Sequence, residues 1–408
     1  MHCRFCQTKV SHVFIDLIAS PPSNSFLLKE NLNEPEVYFP LKVQVCDKCF
    51  LVQLEEYKKS DTIFNDDYVY FSSYSTSWLK HAEEYVNMMI ARFGYTNEHQ
   101  VIEIASNDGY LLQYFLQKGL KVLGIEPTAN TAAVAKEKGI DSIVDFFGKR
   151  LAHELVSNNM MADLILGNNV LAHVPDINDF VGGMPILLKE GGVVTMEFPH
   201  LLQLIKHNQF DTIYHEHFSY LSLFTVQQVF KKHGLRIFDV QEIPTHGGSL
   251  RIFAAHDHDL TKPTLSSVSN LLYKEESFGL NSLEGYTGFQ RKAESIKDGL
   301  VEFLINAKKL GKTVVGYGAA AKGNTLMNFC GLKPDAIKYV VDMNPHKQNK
   351  FLPGTHIPVV NEGFLKEDKP DYVLILPWNI KEEVMEQLSY IREWGGQFII
   401  AIPSFQIL

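Results

Sequence analysis

The segment DTIYHEHFSY, residues 211–220, sets a phenol, two imidazoles and a carboxylate side by side at Tyr214, His215, Glu216 and His217. Histidine is the side chain whose ordinary pKa of about 6.5 lets it take or release a proton near neutrality, so this cluster suits proton transfer. A metal clamp would need a third ligand, and none lies at a convincing spacing. An extended chain would put His215 and His217 on one face with Tyr214 and Glu216 on the other; a helical turn would bring Tyr214 and His217 together. The bland alternative is a polar knot of hydrogen bonds in a loop.

A second chemistry stands at the start of the chain. Cys3 and Cys6 form one C-x-x-C and Cys46 and Cys49 another, with Cys330 far away. Thiolates at i and i+3 of a tight turn point at one centre, and two such turns complete a tetrahedral S4 cage suited to Zn2+. A closed cage leaves no open coordination position, which assigns the metal to folding and not to catalysis.

The elements that must position these groups belong to a chain of 408 residues, long enough for two or three domains. A net charge of -9 argues against general attraction to nucleic acid or to an anionic membrane, and leaves room for a local basic pocket around one phosphate ligand. No apolar run reaches the roughly 18 residues of a membrane span, and MHCRFCQTKV lacks the apolar core of a secretory signal, so a cytoplasmic protein is expected. In that reducing compartment paired cysteines read as metal ligands and not as disulfides.

From about residue 98, VIEIASNDG, YLLQYFLQKG and KVLGIEP read as strand, turn, helix and strand, and MADLILGNN and GGVVTMEFP supply further strands. This is the opening of a doubly wound α/β sheet. Its first turn, Glu103 to Gly109, holds one glycine and the side chains Ser106, Asn107 and Asp108. A dinucleotide needs its pyrophosphate close to bare backbone, whereas a ligand without phosphates tolerates side chains there. Glu126, followed by Pro127, stands where an acid would accept both hydroxyls of a ribose. The combination describes a site for S-adenosylmethionine better than one for a nicotinamide. After an amphipathic helix near 287–310, KTVVGYGAAAKGNTLMNFCG repeats strand, small-residue turn and helix, and the next strand ends at Asp342. Gly316, Gly318 and Gly323 with Lys322 either admit a phosphate to a helix N-terminus or permit close helix packing.

Seven blocks in order, Cys3/Cys6/Cys46/Cys49, YVYFSSYS (68–75), EIASNDGYLL (103–112), GNNVLAHVPD (167–176), YHEHFSY (214–220), HGGSLR (246–251) and GYGAAAKGNTLMN (316–328), resemble the sugar C-methyltransferases. Ala105 departs from the family by standing where a glycine is expected. The resemblance implies a small zinc-binding domain over 1–67, a central Rossmann-like class I methyltransferase domain over 68–285 and a C-terminal Rossmann-like nucleotide-sugar-binding domain over 286–408. It implies transfer of a methyl group from S-adenosylmethionine to C3 of a dTDP-linked 4-keto-deoxysugar. By family position His217 is the general base, with Tyr214 and Glu216 positioning sugar or imidazole, His173 a further active-site histidine, and Tyr68 the electrophile at the enolate oxygen, Tyr70 and Tyr74 lying close by. Ser72, Ser75, Asn168 and Asn169 join the donor side. Gly316, Gly318, Ala319, Lys322, Asn324, Thr325, Asp342, Lys347 and Gln348, with Arg251 from HGGSLR, are assigned to the nucleotide-sugar. The competing reading is an NAD(P)-dependent oxidoreductase acting on a nucleotide-sugar.

Overall fold

The computed structural model describes residues 1–57 and 71–408, so Tyr68 and Tyr70 lie outside the described residues. The described residues build three sheets. In the first, His12–Ser20, Phe39–Val45 and Val52–Leu54 run antiparallel, and the fourth position is taken by Ser219–Tyr220, the tail of the histidine-rich segment. Leu54 N–H donates to Phe218 O at 3.0 Å, extending that pairing by one bond.

The cysteine turns close beside this sheet. Gln7 N–H donates to Cys3 O at 2.9 Å and Phe50 N–H to Cys46 O at 3.0 Å, with Gln7 and Phe50 both left-handed. Cys3 and Cys49 sulfurs are 3.5 Å apart, as are those of Cys6 and Cys46, and all four lie within 4.8 Å of one another. Zn–S bonds of about 2.3 Å at tetrahedral angles space sulfurs by about 3.8 Å, so the four thiols fit one zinc ion.

The central sheet has seven strands in the order Leu235–Ile243, Ser249–His256, Leu188–Pro199, Ala162–Asn168, Gln100–Ile104, Lys121–Ile125 and Ser142–Ile143. Ser249–His256 is antiparallel to both its neighbours; the strands from Leu188–Pro199 to Ser142–Ile143 are parallel. Chain order reverses between Gln100–Ile104 and Ala162–Asn168, and the crevice at such a reversal, beyond the carboxyl ends, is where α/β sheets receive ligands. Those two strands are buried almost throughout, as parallel strands covered on both faces must be.

In the third sheet Val359–Val360, Val340–Val341, Val314–Tyr317, Tyr372–Ile375 and Gln397–Ile400 are parallel, and Gln406–Ile407 closes one edge antiparallel. One apolar core joins this sheet to the first: Phe14 stacks on Phe289 of helix Phe289–Lys309 at 4.7 Å, and Leu17, Leu41, Leu300 and Met327 belong to the same cluster. Among the described residues no helix is long and apolar enough to cross a membrane.

Since the cysteine turns anchor the ends of the strand pairs, zinc binding and folding should be linked. Metal analysis of the purified protein should give about one zinc per chain, and Cys46→Ser should lose it together with most of the soluble yield. Undiminished zinc in that variant would refute the cage.

Candidate active site

A cavity of about 520 Å³ opens at the reversal point of the central sheet, and connections from the first and third sheets complete its wall. Asn24 comes from the chain between the first two strands; Ser72, Trp78, Asn107, Glu126, Asn168, Asn169, His173, Tyr214, Glu216, His217 and His246 come from the middle; Lys322 and Lys347 come from the C-terminal third.

At one end the turn after Gln100–Ile104 is tightly wound. Ala105, Asn107 and Gly109 are all left-handed, at φ 58°, 49° and 73°. Gly109 is obligatory there, because an added Cβ would stand 2.6 Å from Ile140 Cδ1. Glu126 is buried and fixed before any ligand arrives: its Oε2 accepts from Asn107 N–H at 2.8 Å and its Oε1 from Thr128 N–H at 2.9 Å and from the Thr128 hydroxyl. Burial nonetheless raises its pKa. Asn107 Oδ1 in turn accepts from Ser72 N–H at 2.9 Å. Pro127, Asn168 and Asn169 share the wall, and Asp145, Phe146 and Phe147 extend it past the third parallel strand.

Other residues assigned to the donor from sequence face elsewhere. Glu103 is fully buried and off the wall, and burial drives its carboxyl well above the usual range against the Tyr110 hydroxyl and Leu112 amide. Ser106 packs where a Cβ on Gly124 would come within 2.4 Å of its hydroxyl. Asp108 accepts from Ser73 N–H at 3.2 Å and lies 3.6 Å from Lys138 Nζ, so it braces the neighbouring segment. Ser75 caps helix Thr76–Phe93, accepting from Trp78 N–H at 3.3 Å, which accounts for it without a ligand.

At the other end Tyr214 to His217 forms a turn and not an extended strand. His217 N–H donates to Tyr214 O at 2.9 Å, and the two rings lie 4.0 Å apart. His217 Nδ1 is 2.8 Å from Thr212 O, an acceptor only, so Nδ1 carries the hydrogen and Nε2 keeps its lone pair. The His173 ring stands 4.6 Å from that of His217. Desolvation pulls His217 well below its ordinary range and His173 down to about 4, the latter opposed by a hydrogen bond to the Glu216 backbone. Glu216 Oε1 accepts from Asn24 Nδ2 at 2.7 Å. His215 points away, donating to Pro40 O at 3.2 Å against the Phe39 ring.

His246, a wall residue of the block HGGSLR from which only Arg251 is expected to act, is 2.9 Å from Asn169 Nδ2 and 5.1 Å from the Trp78 ring. Burial, then the nearby Lys322 charge, holds its pKa down to about 4. Arg251 itself pairs with buried Glu197 at 3.0 Å and reaches Gln241 at 3.1 Å, over the Tyr85 ring. It belongs to the sheet interior and not to the cavity, a correction to its assignment as a sugar contact.

In the C-terminal third, Lys322 donates to Asn379 Oδ1 and lies over the Trp378 ring at 4.9 Å, and burial lowers its pKa. Trp378 Nε1–H donates to Asp211 at 2.7 Å, and burial raises Asp211 to about 6. The glycines are explained by packing: a Cβ at Gly316 would meet Val340 at 2.8 Å, at Gly318 Pro377 at 2.5 Å, and at Gly323 Leu376 at 2.9 Å. Asp342 accepts from Ala319 N–H at 2.7 Å and Asn344 N–H at 2.8 Å, and Gln348 donates to Asp342 O at 2.9 Å, so both are spent inside the loop. Lys347 Nζ donates to Ala319 O at 3.0 Å and borders the cavity. Thr325 donates to Ile213 O at 2.9 Å, tying this helix to the histidine segment, and Asn324 is fully buried beside it.

Three family models match the chain: a zinc binding domain over residues 3–64, a methyltransferase domain over 78–240 and a C-methyltransferase C-terminal domain over 244–403. The C-methyltransferase NovU of Streptomyces niveus is 35% identical over 409 aligned residues, spanning 100% of this chain and 96% of that protein. A ubiquinone biosynthesis O-methyltransferase of Bradyrhizobium is 31% identical over 100 residues, 24% of this chain and 38% of that protein. Among solved structures, the magnesium protoporphyrin IX methyltransferase of Synechocystis with bound SAM aligns at a TM-score of 0.34 and 13% identity, over 44% of this chain and 79% of that one.

The hydrogen bond to Thr212 and the lowered pKa of His217 make a spectroscopic prediction. Between pH 6.5 and 8, 15N spectra should show His217 neutral with its proton on Nδ1, and protonation should begin only below the ordinary value of about 6.5. An Nε2-protonated ring, or a midpoint at or above 6.5, would contradict the geometry.

Proposed function

The chain belongs to the S-adenosylmethionine-dependent C-methyltransferase family, and on that premise we propose that it methylates C3 of a dTDP-linked 4-keto-deoxysugar, in the cytoplasm, through an enolate generated by His217. The observation that carries this reading is the tautomer of His217: with Nδ1–H given to the Thr212 carbonyl, Nε2 presents its lone pair on a cavity wall. Carbon methylation needs a carbanion equivalent, and a carbonyl at C4 acidifies the hydrogen on C3. Nε2 takes that proton while the C3–H electron pair passes into the enolate; a base held neutral by burial is ready for this at neutral pH. His173 and Tyr214 pack on the base and fix its plane.

When bound, S-adenosylmethionine supplies an electrophilic methyl group on a sulfonium. Glu126 would hold the ribose hydroxyls, its carboxylate already oriented by Asn107 and Thr128, with Ser72, Asn168 and Asn169 nearby and Phe146 and Phe147 offering an apolar wall. Lys322 and Lys347 are the cations that favour an anionic substrate at the C-terminal side. Tyr68 keeps its role at the enolate oxygen by family position alone. We assign residues 1–67 to the zinc module, 68–285 to the donor module and 286–408 to a Rossmann-like nucleotide-sugar module. The NAD(P) oxidoreductase is disfavoured: full-length similarity is to a C-methyltransferase, and the C-terminal glycines serve packing.

With S-adenosylmethionine and a dTDP-4-keto-deoxysugar, NMR should locate the new carbon at C3. His217→Asn should lower turnover by about two to four orders of magnitude, the share of a positioned base, at unchanged S-adenosylhomocysteine affinity. Near-normal turnover would reassign the base. Glu126→Gln removes a charge-assisted contact of about 1.5–3 kcal/mol and should weaken S-adenosylhomocysteine binding about ten- to a hundredfold in calorimetry; unchanged affinity would move the ribose elsewhere.

A further inference from the structure

The zinc-bearing part of the chain does more than fold. We propose that Asn24 is a positioning residue for Glu216 and, through it, for the turn that carries His217 and holds His173; the inference rests on the proton-transfer reading above. Asn24 Nδ2 donates to Glu216 Oε1 at 2.7 Å, Glu216 is only 6% exposed, and both residues line the cavity.

The surrounding chain holds Asn24 from both sides. Pro21 and Pro22 follow the strand ending at Ser20, and Ser25 N–H donates to Pro22 O while Phe26 N–H donates to Asn24 O, each at 3.0 Å. Leu27 then exchanges two backbone hydrogen bonds with Phe351, at 2.9 and 2.8 Å, so the segment spans from the first sheet to the C-terminal third. Prolines fix φ and reduce the freedom of such a turn, which lets one short amide aim at one carboxylate.

Glu216 sits at the junction where such aim matters. Its backbone bonds the His173 ring, and His217 is the next residue. An amide donor suits this post because it orients a carboxylate without neutralising it or offering it a proton. The other titratable groups on the cavity wall are Tyr110, Glu126, Asp145, His173, Asp176, Asp179, Tyr214, His217 and His246 from the middle of the chain and Lys322 and Lys347 from the C-terminal third.

The test compares Asn24→Ala and Asn24→Asp with the wild type. In Asn24→Ala, zinc content, melting temperature and S-adenosylhomocysteine affinity should stay at wild-type values while kcat falls roughly tenfold, the loss of one hydrogen bond to a charged group. Asn24→Asp sets two carboxylates face to face. Its deficit should be largest near pH 8 and shrink toward pH 5, as one shared proton restores the contact. Unchanged kcat and pH profile in both variants would overturn the proposal, as would a loss of kcat in Asn24→Ala accompanied by loss of zinc or of melting temperature. If the wild type itself transfers no methyl group to any dTDP-4-keto sugar tried, the earlier reading fails separately. The 13C titration of the Glu216 carboxyl then decides this one: a higher midpoint in Asn24→Ala than in wild type supports it, an equal midpoint overturns it.

Discussion

The hydrogen bond from the His217 ring to the Thr212 carbonyl is the constraint around which the cavity is organised. A backbone carbonyl accepts and never donates, so one contact decides which ring nitrogen is free. Burial then decides its charge. An imidazole largely withdrawn from water resists protonation, and the half-buried His173 ring at 4.6 Å and a lysine nearby push the same way. Neither effect alone makes a base: a free nitrogen in water would be partly protonated near neutrality, and a buried ring with the other tautomer would present a hydrogen.

Holding that carbonyl still requires the rest of the chain. Thr212 and His217 lie on one short segment whose end, Ser219–Tyr220, is a strand of the first sheet and not of the central one. Ile213 between them accepts from Thr325 of the C-terminal helix, and Asp211 accepts from Trp378. The segment is thus pinned by backbone pairing on the zinc side and by side-chain hydrogen bonds on the other. A loop of this kind, left to itself, would lose conformational entropy on ordering that no single contact could repay.

Much of this was legible in the sequence where chemistry is local. Paired C-x-x-C knuckles announce a thiolate cage because ligand spacing within a turn is set by covalent geometry, and Glu126 followed by Pro127 marks a strand end facing the crevice. What sequence could not supply was side-chain direction and the meeting of distant segments. Ser75, Asp108 and Arg251 have the right types in the right blocks, yet one caps a helix, one braces a lysine and one is buried in a pair with Glu197. Conversely, Asn24, Trp78 and His246 reach the same cavity from three separate stretches. Only their proximity in space distinguishes them; PPSN and THGG carry the residues in plain view, with nothing local to mark them. The C-terminal turn misleads for a further reason, since a glycine needed to admit a phosphate and a glycine needed to admit Leu376 or Pro377 look identical in sequence.

The charge distribution follows from the same economy of burial. A chain with a net charge of -9 repels anions on average, so an anionic ligand must be favoured locally. Lys322, on helix Ala321–Cys330, and Lys347, on the loop after Val340–Val341, are the lysines on the cavity wall that would do so, while the lowered pKa values of the three histidines on that wall keep competing charge off them near neutrality. Lys322 feels the charge of Asp211, a carboxyl that burial raises to about 6 and that is still mostly ionised at neutral pH, which offsets part of the desolvation of the ammonium. On the reaction proposed above, separating positive charge at one side from neutral imidazoles at the other would let a single cavity hold an anionic substrate and still accept a proton from carbon, two tasks that a protonated histidine in the same place would set against each other.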